Sequence, residues 1–149
     1  MKEFTVKLGI WFSHHKILYY FLNFTWGILA NIMGGFVALI MLISGHKPHN
    51  YFGTVQFKLK EHWGGFSLGL FQVRDTTSSE EISYHELGHS YQNVWMGPFW
   101  LFVVAIPSMI RYAYFNHREK KGLPNKEYDS IWYEGSSTEI GKDIYDRHI

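Results

Sequence analysis

The 149-residue sequence has no cysteine, which excludes disulfide frameworks, thiolate nucleophiles, cysteine-based zinc fingers and iron–sulfur clusters. Any metal must therefore be held by His, Asp or Glu. Charge of one sign is also lacking: 14 Lys and Arg stand against 13 Asp and Glu, a net charge of +1, and the lysines form no stripe. Without a basic surplus there is no footprint for a phosphate backbone, so nucleic acid is not an expected partner. Nor does any internal repeat, low-complexity tract or long linker divide the chain. One domain over residues 1–149 is the expectation.

Charge is missing most completely between Lys16 and Lys47. Residues 17–43 form an apolar run long enough for a transmembrane helix, which needs about 20 apolar residues. Tyr19, Tyr20 and Trp26 suit an interfacial belt, Gly34 and Gly35 would admit a second helix closely, and Asn23 and Asn31 need partners inside such a segment. The run predicts an integral protein of the cell membrane, with the lipid bilayer as a partner. A second uncharged stretch, 90–110, is strongly apolar only over 99–106 and is bracketed by Pro98 and Pro107. Gly97-Pro98 reads as a stop and restart, and Pro107 as a kink or break. This stretch is equally consistent with a core helix and a crossing.

Between the two lies a more ordinary globular pattern. Residues 51–59 and 66–73 alternate like strands around Trp63-Gly64-Gly65 and read as a hairpin. Ser78 with Glu81 three positions later has the form of a capping box, predicting a helix from near Ser79 to about Trp95.

On that helix, residues 85–89 read His85-Glu86-Leu87-Gly88-His89. Two imidazoles four positions apart share one helical face and can grip one metal ion, while Glu86, one step round, can reach a water on that metal without ligating it. That is the position of a general base. A catalytic zinc takes three protein ligands and one water. The metzincin pattern would need glycine at 92 and histidine at 95, where Gln92 and Trp95 stand. The site-2 intramembrane pattern would need an Asp-Gly pair in a later apolar segment, and residues 99–110 hold no carboxylate. A glutamate from a later helix remains, and Glu134 is the first choice, in competition with Asp129, Glu139, His62 and His117. His14, His15, His46 and His49 flank the first apolar run and are expected at headgroup level, without a catalytic role.

With His85, Glu86, His89, Gln92, Gly97, Pro98, Pro107, Ser108, Trp132, Glu134 and Gly141, residues 50–141 resemble the gluzincin-type zinc metallopeptidases, particularly small bacterial or phage-type membrane proteins. The resemblance implies an α+β, mostly helical fold: an N-terminal transmembrane helix over 17–43, a β-hairpin, a zincin-like active-site helix and a later glutamate helix. It also implies Zn2+ on His85, His89 and Glu134, Glu86 as base, and hydrolysis of a peptide or protein substrate. One departure stands out. Gluzincins usually carry Asp four residues after the ligand glutamate, supporting a zinc histidine, and here that position is Thr138, which brings no charge. The alternative expectation is a noncatalytic membrane interaction protein with a structural zinc.

Overall fold

The computed structural model describes residues 1–60 and 63–149. Among these the chain is mostly helical α+β, with six α-helices and one four-stranded sheet. The strands are β1 (His49–Tyr51), β2 (Thr54–Leu59), β3 (Gly65–Leu68) and β4 (Phe71–Asp75). The expected hairpin joining 51–59 to 66–73 does not form. β1 and β2 make one antiparallel pair, β3 and β4 another, and β2 lies parallel to β4, giving the order β1-β2-β4-β3. The reason is local turn chemistry. Phe52 and Gly53 both have positive φ, 46° and 88°, as a two-residue hairpin turn requires, and Gly69 at φ 63° closes the second pair. Each half therefore folds on its neighbour, and Trp63-Gly64 leads into β3, which begins at Gly65. β3 is left as an edge strand.

The sheet hands the chain to α4 (Glu80–Met96) through Asp75. Its buried carboxylate accepts the backbone N–H groups of Trp63 (3.0 Å), Gly64 (2.7 Å), Thr77 (2.9 Å) and Ser78 (2.5 Å). Burial would raise the Asp75 pKa, but these bonds outweigh it and hold the carboxyl well below the usual range. The Ser78–Glu81 capping box is not made: Ser79 occupies the N-cap without a side-chain bond, and the Ser78 N–H is taken by Asp75.

α6 (Trp132–His148) packs along α4, and glycines set how close it comes. A Cβ at Gly88 would strike the Ser137 carbonyl, and one at Gly141 the Tyr84 carbonyl. α1 (Lys2–His14) covers α6, with Gly9 against Ile140 and Arg147 donating to Ser13 Oγ at 2.6 Å. Phe12, Leu87, Tyr91, Ile140 and Ile144 form the buried core between them.

The continuous transmembrane helix expected over 17–43 is instead two helices, α2 (Lys16–Asn23) and α3 (Ile28–Ile43), bent by 79°. Among the described residues no single helix is long and apolar enough to cross a membrane; only this bent pair together has the length and composition. The two asparagines explain the break. Asn31 Nδ2 donates to the Asn23 and Gly27 carbonyls at 2.8 and 3.0 Å, Asn31 Oδ1 accepts the Leu70 N–H at 2.8 Å, and Asn93 Nδ2 reaches Asn23 Oδ1 and the Gly27 carbonyl at 3.2 Å. Side chains thus bond backbone groups that a continuous helix would satisfy internally.

The second apolar stretch folds back. Gly97 ends α4 at φ 56°, and the chain returns through a π-helical turn, Leu101–Ala105, into α5 (Ile106–Lys120). Pro107 falls in the first turn of α5, directly after the π-helical turn, where a break in regular bonding is already present. Trp100 is buried, with its ring centroid 6.1 Å from that of His89.

Candidate metal centre

α4 and α6 each contribute one face. The four-residue spacing sets His85 and His89 one turn apart, ring centroids 4.8 Å from each other. Glu134, in the first turn of α6, comes between them: its Oε2 lies 3.1 Å from His85 Nε2 and 3.3 Å from His89 Nε2. One donor atom from each residue falls within 4.8 Å of the others, so these three could hold a metal ion.

The outer nitrogens are fixed by neutral oxygens. Gln92 Nε2 donates to the Tyr133 carbonyl (2.7 Å) and to Ser136 Oγ (2.9 Å), which turns its Oε1 toward His89 Nδ1 at 2.7 Å. His89 Nδ1–H must therefore be the donor. His85 Nδ1 meets Thr138 Oγ1 at 2.7 Å, so the threonine in the place of the usual aspartate performs the positioning contact without a charge. Both Nε2 atoms are thereby aimed at the centre.

Two observations test the fit of a cation. Glu134 is fully buried, and its Oε1 has no hydrogen-bond partner among the described residues. Its carboxyl is also held well below the ordinary range: burial opposes this, but hydrogen bonds and charge from His85 and His89 prevail. Burial pulls the His89 pKa down, yet Glu134 overcomes it and lifts the value to about 9. The buried carboxylate thus draws positive charge onto His89, and two imidazoles with one carboxylate are a donor set that suits a divalent transition-metal ion.

The other candidates lie elsewhere. Glu139 pairs with Lys2 at 2.5 Å on the surface, Asp129 sits in a 3₁₀ turn, Tyr128–Ser130, before α6, and His117 is exposed near the end of α5. None belongs to the donor group, and His62 lies outside the described residues. Glu86 is 7% exposed and, with His89, lines a cavity of about 410 Å³. The cavity also takes in β3, Trp100 and Tyr128. In the sequence Tyr128, like Tyr133, stands near Glu134 and reads as packing, the ordinary role of a tyrosine beside a ligand. Here Arg111 donates to its carbonyl at 2.9 Å and lies over its ring, Ser108 Oγ is 3.4 Å from its hydroxyl, and burial followed by the Glu134 charge pushes the phenol up, keeping it a donor.

Comparison of the chain with family models, curated proteins and solved structures finds no match.

Proposed function

We propose that the chain is a membrane-attached zinc endopeptidase of gluzincin type. The observation that carries the reading is that His89, one of the three residues of the His85–His89–Glu134 group, and the neighbouring Glu86 both line a cavity. A metal kept only for structure needs closed coordination and no adjoining space, so the cavity favours hydrolysis over a noncatalytic role.

Zinc bound by the three residues would acidify a water and polarise a peptide carbonyl. Glu86, on the cavity wall, takes a proton from the attacking water and returns it to the leaving amine. The Tyr128 hydroxyl donates to the carbonyl oxygen as negative charge gathers there. The edge of β3 pairs with an extended substrate. Gly65 lets that strand lie close to α4, for a Cβ there would come within 2.8 Å of Ile82 Cγ2. Attachment to the bilayer rests on the exposed apolar side chains of α2 and α3, such as Phe36, Ile40 and Ile43.

The deciding experiment is Glu86→Gln. The variant should bind zinc with the wild-type stoichiometry and lose peptide hydrolysis by about a hundredfold or more. Undiminished cleavage, or a zinc-loaded wild type inert toward every peptide in a diverse library, would end the hydrolase reading. Flotation of the full chain with phosphatidylcholine vesicles tests attachment, which fails if the protein stays at the bottom of the gradient.

A further inference from the structure

The walls of the cavity bear on what can enter it. Apart from Glu86 and His89 at its floor, no Asp, Glu, Lys, Arg or His among the described residues lines it. A charged substrate side chain would find no partner there and would lose its hydration without compensation. The volume of about 410 Å³ falls in the range of sites that enclose a ligand, about 300–1,000 Å³. Phe66, Leu68, Trp100 and Val104 supply apolar surface.

The position of the opening narrows the source of the substrate. Met33 of α3 and Met109 of α5 both line the cavity and are both exposed, at 43% and 71%, so the cavity reaches the surface beside them. Their neighbours on the same two helices are exposed apolar residues: Ile32 and Phe36 on one side, Ile106 and Ile110 on the other. This surface lacks charge from Lys16 to Lys47 in α2–α3 and from Ser90 to Ile110 around α5. Each arm then runs out into a mainly cationic region: exposed Lys47 after α3, and Arg111, Arg118, Lys120 and Lys121, with Glu119 among them, along the rest of α5 and just past it. An uncharged lip bounded by cations matches a bilayer with anionic headgroups. A water-soluble peptide would have to displace that lipid to reach the metal, whereas a segment already in the bilayer would not.

From the lip formed by Met33 and Met109, we infer that the site receives its substrate from the membrane: an apolar segment of a bilayer-embedded polypeptide enters between α3 and α5 and is cleaved at the β3 edge. This rests on the hydrolase reading and names the substrate class for the same site.

The test uses the full zinc-loaded chain in phosphatidylcholine–phosphatidylglycerol vesicles with two peptides of identical scissile sequence, one free in solution and one fused to an apolar membrane-inserting segment. The inserted peptide should be cleaved about tenfold faster or more, and Met33→Glu with Met109→Glu should abolish that preference while leaving the zinc content unchanged. Equal cleavage, or faster cleavage of the soluble peptide, overturns the inference and leaves the hydrolase reading intact. If neither peptide is cleaved, that scissile sequence is not accepted, the peptide library decides the hydrolase reading, and binding still decides the route of entry. A photo-crosslinking residue at position 109 should capture the inserted segment and not the soluble peptide. Capture of the soluble peptide alone, or of neither, overturns it.

Discussion

A single hydroxyl does at Thr138 what a charged group does in the pattern the motif resembles. Its contact with His85 Nδ1 at 2.7 Å fixes the ring, and removing such a support weakens metal binding by about 10- to 100-fold. Thr138→Val should therefore lower zinc affinity by about tenfold, read by competition with a chelating dye, while Thr138→Asp should raise it. Unchanged affinity in Thr138→Val would show that the hydroxyl positions nothing. Just before α4, Asp75 contributes to the acid sensitivity of the fold. Its folded pKa is depressed below the ordinary 3.8, so its contribution is fully present above that unfolded value and is lost as pH falls through the folded one. Asp75→Asn should cost about 2 kcal/mol at neutral pH and flatten the loss of stability between about pH 4 and pH 2, as urea titrations across that window would reveal.

At the scale of elements, the centre depends on how tightly α4 and α6 approach. Gly141→Ala drives a methyl into the Tyr84 carbonyl, and the helices must part. A cost of about 2 kcal/mol and weakened zinc binding are expected together, from thermal melts with and without metal. Gly35→Ala, in α3, meets nothing within 4 Å and should be near neutral. Elements differ in how plainly the sequence announces them. The helix that carries the two histidines was legible to within a residue at each end, since the serines before it and Gly97 after it are local signals. The donor group was legible in part: the pairing of His85 with His89 follows from helical spacing, whereas Glu134 competes with Asp129, Glu139, His62 and His117 in the sequence, and it is α6 that turns it inward. Strand alternation marked two extended stretches but carries no record of pairing, so the parallel contact of β2 with β4 was hidden. The break at residues 24–27 was hidden for a related reason. Asn23 and Asn31 announce a need for partners, but that the partners are helix-end carbonyls, Asn93 and the Leu70 N–H emerges only in three dimensions.

For the whole molecule, a metal that binds only the folded chain must stabilise it by mass action. At a free zinc concentration about 100 times the dissociation constant the gain is about 2.7 kcal/mol, so adding zinc should raise the melting temperature and chelation should lower it. His85→Ala with His89→Ala should abolish that difference. A melting temperature indifferent to zinc would mean that the three donors hold no such ion in solution.

The contact between the first helix and the last has a consequence for the order of events in the cell. α1 lies against α6, with Gly9 on Ile140 and Ser13 on Arg147, and Glu134 itself stands at the head of α6. During synthesis the amino-terminal half emerges first, yet its opening helix waits for a partner made more than a hundred residues later. His85 and His89 are consequently made well before the Glu134 that completes the donor group, and the apolar faces of α2 and α3 emerge earlier still, ahead of every residue of the candidate metal centre.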